Sequence, residues 1–443
     1  MIYVKDLKKQ FTVAELVERD GQVQAYRRFF EQMAWEAIPE RNAKRAWPGR
    51  QQPHPQCAYV KALLVKMVEG LTYMTDLRRY LVNHPLLVLA LGFVPQADAH
   101  SVYGFDVEAT VPSARWLRYK LQWLPNGQLQ QLLKRTIERL SQLIPALGQS
   151  VAMDCKHIYA WVCENNPKSV VVDRYQAKKQ PKGDGDCRLG VKRRSNQAKD
   201  DPAGSSEALW GYASGSICSY HEHCGHVAIA EHTLPFNRAD IEFFPVLYRQ
   251  MRKNLPCHPE VLTADAAFDA WYVYEPFARR GGMAAIALNP GRYAPPQHGE
   301  HGLPLCPLGL EMPTYGKVYF DRSRRHRVQR HRCPLLVPHP TGERCTHPQF
   351  AKGWGCEKRL NAQPGGQMRR TLDRQSHAFK QLYRKRVAVE QLFSLATALG
   401  IEHPKVRNLA SVRNLNTLTY IVINVRALLR VTDNLLQQPA LSL

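Results

Sequence analysis

No stretch of this chain holds the roughly 18 uncharged apolar residues that a membrane-spanning helix needs. Its most apolar late segment, Leu415 to Leu429, is interrupted by Arg426 and flanked by Arg413 and Arg430, so no membrane partner is expected. The opening MIYVKDLKKQ has no apolar core followed by a small-residue cleavage site, which argues against export and for a cytoplasmic protein. Acids are scarce: 38 Asp and Glu stand against 61 Lys and Arg, a net charge of +23. A surplus of that size speaks about partners and favours a polyanion, here nucleic acid. The cysteines, 11 in number, include no C-x2-C pair. An odd count without export predicts reduced thiols, with metal binding ahead of disulfides. There is no internal repeat.

What is present is enough for two or three domains in 443 residues. Residues 1–148 read as an all-helical N-terminal domain for DNA binding or assembly. Ala58 to Glu69 has helical periodicity up to Gly70, Thr75 to Tyr80 stops at His84-Pro85, and Leu86 to Leu91 runs to Gly92. Gln128 to Ile144 sets Leu129, Leu132, Leu133, Ile137, Leu140 and Ile144 on one face.

From residue 149 the pattern changes to short apolar runs of strand length. They are Ser150–Met153, Ile158–Val162, Val170–Val172, Val227–Ala230, Val261–Ala264 and Ala284–Leu288. Helices are expected from Asn237 to Met251 and from Ala270 to Arg279. Strands alternating with helices predict an α/β fold with a mixed sheet over 149–300. The polar, basic stretch from Tyr175 to Ser206 reads as a loop. Residues 301–370, rich in Pro, Gly, Cys, His and Arg, read as an insertion. The part from 371 to 443 returns to helix, about Arg374–Leu399 and then Ser411–Leu435 with Ser411 as cap.

Three acids stand out. Asp154 follows Val151-Ala-Met153 and Asp265 follows Val261-Leu-Thr-Ala264, each at an expected strand end, where a rigid sheet fixes a carboxylate and the next loop opens it to substrate. An aspartate there is as readily a turn residue or a helix cap. Counted at 100° per residue, Tyr383, Arg386 and Glu390 lie nearly above one another on one helix, away from an apolar face of Leu382, Val389, Leu392, Phe393, Ala396 and Leu399. The plain reading of Glu390 is a salt bridge to Arg386. Together the three carboxylates suffice to hold two Mg²⁺ or Mn²⁺ ions for phosphodiester chemistry.

These residues carry a family resemblance. The third-acid region resembles that of the DDE transposases of bacterial insertion sequences, one subgroup of which carries Y-x2-R-x3-E-x6-K. Tyr383, Arg386 and Glu390 match, and Thr397 stands at the lysine position. VAMDCKH around Asp154 and LTADAAFD around Asp265 are similar to the two D-regions. Gly211-Tyr212 resembles the G-Y-K strand, with Ala213 for its lysine, and AYVKALLVKMVEGLTYMTDLRRYL is similar to the attached N-terminal domain. The resemblance implies a ribonuclease-H-like core, hydrolysis and strand transfer at insertion-sequence ends, and DNA partners comprising terminal repeats and target. It implies a homodimer in the active complex. Asp154, Asp265 and Glu390 would bind the metal ions, Arg386 and Tyr383 would orient phosphate, and Lys405 or Arg407 would stand in for the missing lysine.

The insertion adds two expectations. Cys306, Cys333, Cys345 and Cys356, with His326, His331, His339 and His347 among them, offer donors for a structural Zn²⁺. Asp321 to Arg332, DRSRRHRVQRHR, carries Arg322, Arg324, Arg325, Arg327, Arg330 and Arg332, a set suited to DNA phosphates. Lys192, Arg193 and Arg194 form a smaller cluster of the same kind. His221-Glu-His-Cys224-Gly-His226 reads as a polar turn between strands. The alternatives from other classes are a non-catalytic zinc-dependent DNA-binding protein and a metal-dependent nuclease without strand transfer.

Overall fold

The computed structural model describes residues 11–40, 54–193, 206–289 and 297–437. The N-terminal part holds α1 (Val13–Arg19), α2 (Gly21–Glu31), α3 (Gln56–Val68), α4 (Met74–Asn83), α5 (Pro85–Leu91), α6 (Ala114–Trp123) and α7 (Asn126–Leu143); it is not all-helical, since Gln96–Ala97 pairs antiparallel with Phe105–Asp106 ahead of a single helical turn, Val107–Thr110. Then come β1 (Ser150–Tyr159), β2 (Arg188–Arg193), β3 (Ser206–His221), β4 (Gly225–Pro235), α8 (Phe244–Asn254), β5 (Val261–Ala264), α9 (Trp271–Ala278) and β6 (Met283–Ile286). The remainder holds β7 (Thr314–Asp321), β8 (His326–Arg332), β9 (Glu357–Asn361), α10 (Pro364–Thr371), α11 (His377–Arg384), α12 (Val387–Ala398) and α13 (Leu409–Gln437). The described chain falls into two compact units. One comprises Met1–Gly148, Asp154–His258 and Ala388–Leu443; the other comprises Gln149–Met153 and Pro259–Val387.

In the first unit, local signals set the helix ends. Thr12 caps α1 by accepting from Glu15 N at 3.3 Å, and Glu15 accepts from Thr12 N at 2.7 Å, a complete capping box. Pro85 opens α5, and Gly92 closes it in the left-handed region at φ +88°. The apolar stripe of α7 is buried as its period predicts. The hub is α13, which packs on α3, α6, α7 and β4. Its Leu415–Leu429 stretch is core, not a span, and among the described residues no helix is long and apolar enough to cross a membrane. Buried asparagines lock it in place. Asn424 Nδ2 donates to Ala228 O at 2.9 Å and its Oδ1 accepts from Ala228 N at 2.8 Å, while Asn414 Nδ2 donates to Leu121 O and Leu124 O at 2.7 Å each. A buried amide left unpaired costs more than its hydrogen bond gains, so these pairings specify one register.

Also in the first unit, β3 pairs antiparallel with β2 and with β4. The His221–Gly225 turn joins β3 to β4, as expected of that cluster. Gly211 is required by sheet packing: a Cβ there would stand 2.1 Å from Ile158 O. Tyr212 is fully buried and its hydroxyl donates to Asp184 Oδ1 at 2.7 Å. Asp184 and Asp186 then accept from Asn408 N at 3.1 Å and Leu409 N at 2.9 Å, placing acid at the start of α13.

In the second unit, Ser150–Met153 of β1 pairs in parallel with β5, and β5 in parallel with β6. Helix α11 packs against β5 and β6, and α9 against α10 and β6. A separate antiparallel sheet runs in the order β9-β8-β7. Pairing in both senses, with flanking helices, makes this a mixed α/β protein, as expected at that level.

Several finer expectations are overturned. Val170–Val172 is not a strand: it lies in turns, with Val170 fully exposed, because three valines without a partner strand bury nothing. The stretch from Tyr175 to Ser206, read as a loop, contains β2. Ser150–Met153 and Ile158–Val162 are not two strands, since β1 runs unbroken to Tyr159. Ser411 does not cap α13; Asn408 does, with its Oδ1 accepting from Ser411 N at 2.9 Å. The arginine-rich run, expected only as a phosphate-binding set, forms the turn and second strand of the hairpin β7–β8. Asn237 does not open a helix to Met251; a 3-10 turn, Asp240–Phe243, precedes α8.

Candidate active site

Asp265 is placed by β5. That strand ends at Ala264, and Asp265 caps the turn Ala266–Phe268, its Oδ1 accepting from Ala267 N at 3.0 Å. Helix α11, laid on β5 and β6, carries Tyr383; Arg386 follows in the turn after it, its guanidinium 5.8 Å from the centre of the Tyr383 ring. Burial raises the Asp265 carboxyl above its ordinary range; the Ala267 N–H, the charge of Arg386 and the Phe268 N–H pull the other way without cancelling it. A half-buried acid with a raised pKa and a cation at hand is the combination common at working sites.

Asp269, in the same LTADAAFD segment, is a different kind of acid. Its side chain is fully enclosed and accepts from Arg369 Nε and Nη2 at 2.8 Å each, from Tyr274 Oη at 2.7 Å and from Asn289 N at 2.9 Å. Burial opposes its charge, but the Arg369, Asn289 and Tyr274 hydrogen bonds outweigh it and hold the carboxyl below its usual range. Every lone pair is engaged, so Asp269 is structural, whereas Asp265 accepts from backbone N–H groups of its own turn.

Asp154 does not end a strand. The parallel ladder pairs Met153 with Ala264 and stops there, whereas β1 continues to Tyr159. Asp154 is the residue next after the ladder, partly buried, with its Oδ1 accepting from Cys155 N at 2.7 Å. Asp265 is next after Ala264 in the other strand.

Glu390 is exposed in the first turn of α12. Tyr383, Arg386 and Glu390 do not share one long helix: α11 ends at Arg384, and α12 begins at Val387. The boundary between the units falls between Val387 and Ala388. Asp265, Tyr383 and Arg386 therefore belong to one unit, and Asp154 and Glu390 to the other. Among the described residues no group of three or more His, Cys, Asp or Glu side chains is arranged to hold a metal ion.

Two features combine cations with aromatic rings; the arginines of the first were legible as a run in the sequence, its tyrosine partners were not. In the second unit the exposed β7 strand sets Tyr315 and Tyr319 beside β8, where the Arg330 guanidinium lies 5.4 Å from the Tyr315 centroid and Arg332 lies 4.9 Å from it. Arg322, Arg324 and Arg325 form the exposed turn of this hairpin, shaped by Asp321 accepting from Ser323 N at 3.0 Å, and Arg327 is exposed on β8. The backbones of Lys192 and Arg193 lie in β2, and Arg194 lies outside the described residues. In the first unit a cavity of about 610 Å³ is lined by Tyr73, Trp161, Tyr159, His403, Lys405 and Arg407, among others. Arg407 lies 4.8 Å from the Trp161 centroid, and the Tyr159 ring stacks on His403 at 4.5 Å. Rings that accept stacking beside cations that meet phosphate are what nucleic-acid grooves use. The only sequence signal for this cavity was the pair Lys405 and Arg407.

Of the insertion's candidate ligands, Cys306, Cys333 and Cys356 are buried in one cluster with Met312 and Leu335, and Cys345 packs against it. His331 is engaged elsewhere, its Nδ1 hydrogen-bonded to Met312 O at 3.1 Å, and His326 packs on Trp271.

No protein-family model and no curated protein matches the sequence. Among solved structures the fold is similar to one in a cryo-EM structure of a piggyBac transposase synaptic complex with hairpin DNA, at 10% identity and a TM-score of 0.35, covering 93% of this chain and 76% of that one. Likeness at that level assigns no function.

Proposed function

We propose that this chain is a DDE-type DNA transposase with a ribonuclease-H-like core, hydrolysing a phosphodiester at the ends of an insertion sequence and joining the freed 3′-OH to target DNA. The observation that carries the reading is the parallel ladder that ends with Met153 opposite Ala264 and is followed in each strand by an aspartate. Open α/β sheets bind their ligands beyond the carboxyl ends of parallel strands. The mixed strand pairing and the net charge of +23 agree with it.

In this reading Asp154, Asp265 and Glu390 are the working carboxylates. Hard carboxylate oxygens suit Mg²⁺ or Mn²⁺ in donor chemistry, and two such ions supply charge stabilisation at the attacking and leaving oxygens. Among the described residues these carboxylates are not preset as a metal-holding group. Arg386 contributes positive charge beside Asp265 and a donor fork for phosphate, and Tyr383 holds it through its ring face. The β7–β8 arginines and the Trp161 cavity contact backbone and bases of terminal-repeat or target DNA. Two ends cut together call for a homodimer.

The gathered cysteines favour one rival, a non-catalytic zinc-dependent DNA-binding protein. That rival predicts that Asp154→Ala costs nothing while loss of the cysteines abolishes DNA binding. The deciding experiment supplies a pre-cut DNA end with a free 3′-OH, a supercoiled target and Mn²⁺. Joined product supports a transposase, nicking without joining leaves a nuclease, and neither product with binding intact supports the rival.

A further inference from the structure

We infer that Cys306, Cys333, Cys345 and Cys356 form a structural Zn²⁺ site that closes on the ion and holds the insertion together. The four are far apart in sequence, with 50 residues from first to last, yet they meet in a single cluster whose other members are Met312, Leu335, Leu336 and Phe350. So few apolar side chains make a small core for a segment this long, and segments of that kind are commonly stapled by metal or disulfides. All four are free thiols in the structure.

Tight turns and one close approach of the backbone bring the cysteines into this cluster. Cys306 heads a tight turn in which Gly309 N donates to Cys306 O at 2.9 Å, with Gly309 at φ +78°. Cys333 heads another, its carbonyl accepting from Leu336 N at 3.1 Å and Val337 N at 3.0 Å. At Cys345 the sulfur itself accepts from His347 N at 3.4 Å. Cys356 follows Gly355, where any Cβ would stand 2.4 Å from the Cys333 Cβ and 3.0 Å from its sulfur. Glycine there lets the two cysteine-bearing strands of chain approach.

The donor count and softness select zinc: four thiolates satisfy a closed tetrahedral structural site, and His326 and His331 are hydrogen-bonded to backbone carbonyls. No three of these thiols stand at metal-holding geometry among the described residues, so ligand ordering and binding occur together, as in small metal-dependent folds.

The test is metal content of the full chain purified under reducing conditions from zinc-supplemented medium, with the exposed-cysteine variant Cys163→Ser/Cys257→Ser as control. The account predicts about one zinc per chain in the native protein and the control, and almost none in Cys333→Ser/Cys356→Ser. Should that variant fail to fold, Co²⁺ loading of the native chain decides, because tetrahedral thiolate ligation gives intense sulfur-to-cobalt and d–d absorption. Zinc-free native protein that also shows no such absorption, a Cys333–Cys356 disulfide in the reduced preparation, or zinc retained in the folded double variant would overturn it. None of these readouts depends on DNA cleavage, so the site and the transposase reading stand or fall separately.

Discussion

Met153 lies opposite Ala264 in parallel register, and the next residue in each strand is an aspartate. One strand pairing thereby singles out Asp154 and Asp265 from the 38 acids of the chain. It also separates Asp265, with a raised pKa and Arg386 nearby, from Asp269 four residues on, which is consumed by Arg369.

That separation is measurable. Asp269→Ala leaves the Arg369 guanidinium without its fork and opens a polar hole, so it is expected to lower stability by about 3 kcal/mol. Asp265→Asn keeps the turn cap and relieves a buried charge, so it is expected to leave stability unchanged or slightly raised. Urea unfolding of the two variants checks this; equal losses at both positions would refute the division of roles.

The Glu231 carboxyl, fully buried on β4, accepts from Gln130 and Thr417, and burial pushes its pKa up to about 7. The folded state thus binds the proton more tightly than the unfolded chain. Its contribution is complete below the unfolded pKa near 4.5, declines as pH rises, and is lost above about 7. Glu231→Gln is expected to remove that slope, worth roughly 3 kcal/mol across the window at 1.36 kcal/mol per unit. Denaturation midpoints of both proteins between pH 4.5 and 8 test it, and parallel curves would contradict it.

Much of the helical scaffold was legible because its cause is local. The stripe from Leu129 to Ile144 and the stops at Pro85 and Gly92 are periodicity and capping, and Val261–Ala264 was read to the residue. What failed depended on partners. SEALWGYASGSICSYH forms a 16-residue strand with no period-2 signal, because most of it is buried on both faces. The break between α11 and α12 lies in a run of good helix formers, so no local signal marks it. Candidate acids were visible as residue types at plausible ends. Which unit each belongs to was not, nor was the Trp161 cavity, whose walls come from segments far apart in sequence.

The hairpin arginines test the DNA partner. Replacing Arg330 and Arg332 together by Gln removes two of the proposed phosphate contacts while leaving β8 paired. Fluorescence anisotropy on duplexes across a salt series is expected to show weaker binding to every sequence and a shallower log K against log salt slope by about 2. An unchanged slope would show that this face does not meet DNA.

The central claim is that the carboxylates do chemistry and not packing. Asp154→Asn, Asp265→Asn and Glu390→Gln each keep size and fold, so each is expected to bind terminal DNA as the native chain does. Each should lower Mn²⁺-dependent strand cleavage about a thousandfold, roughly 4 kcal/mol of lost transition-state stabilisation. Binding retained with cleavage lost in all three is the predicted result; native cleavage rates in any one of the folded variants would contradict the account.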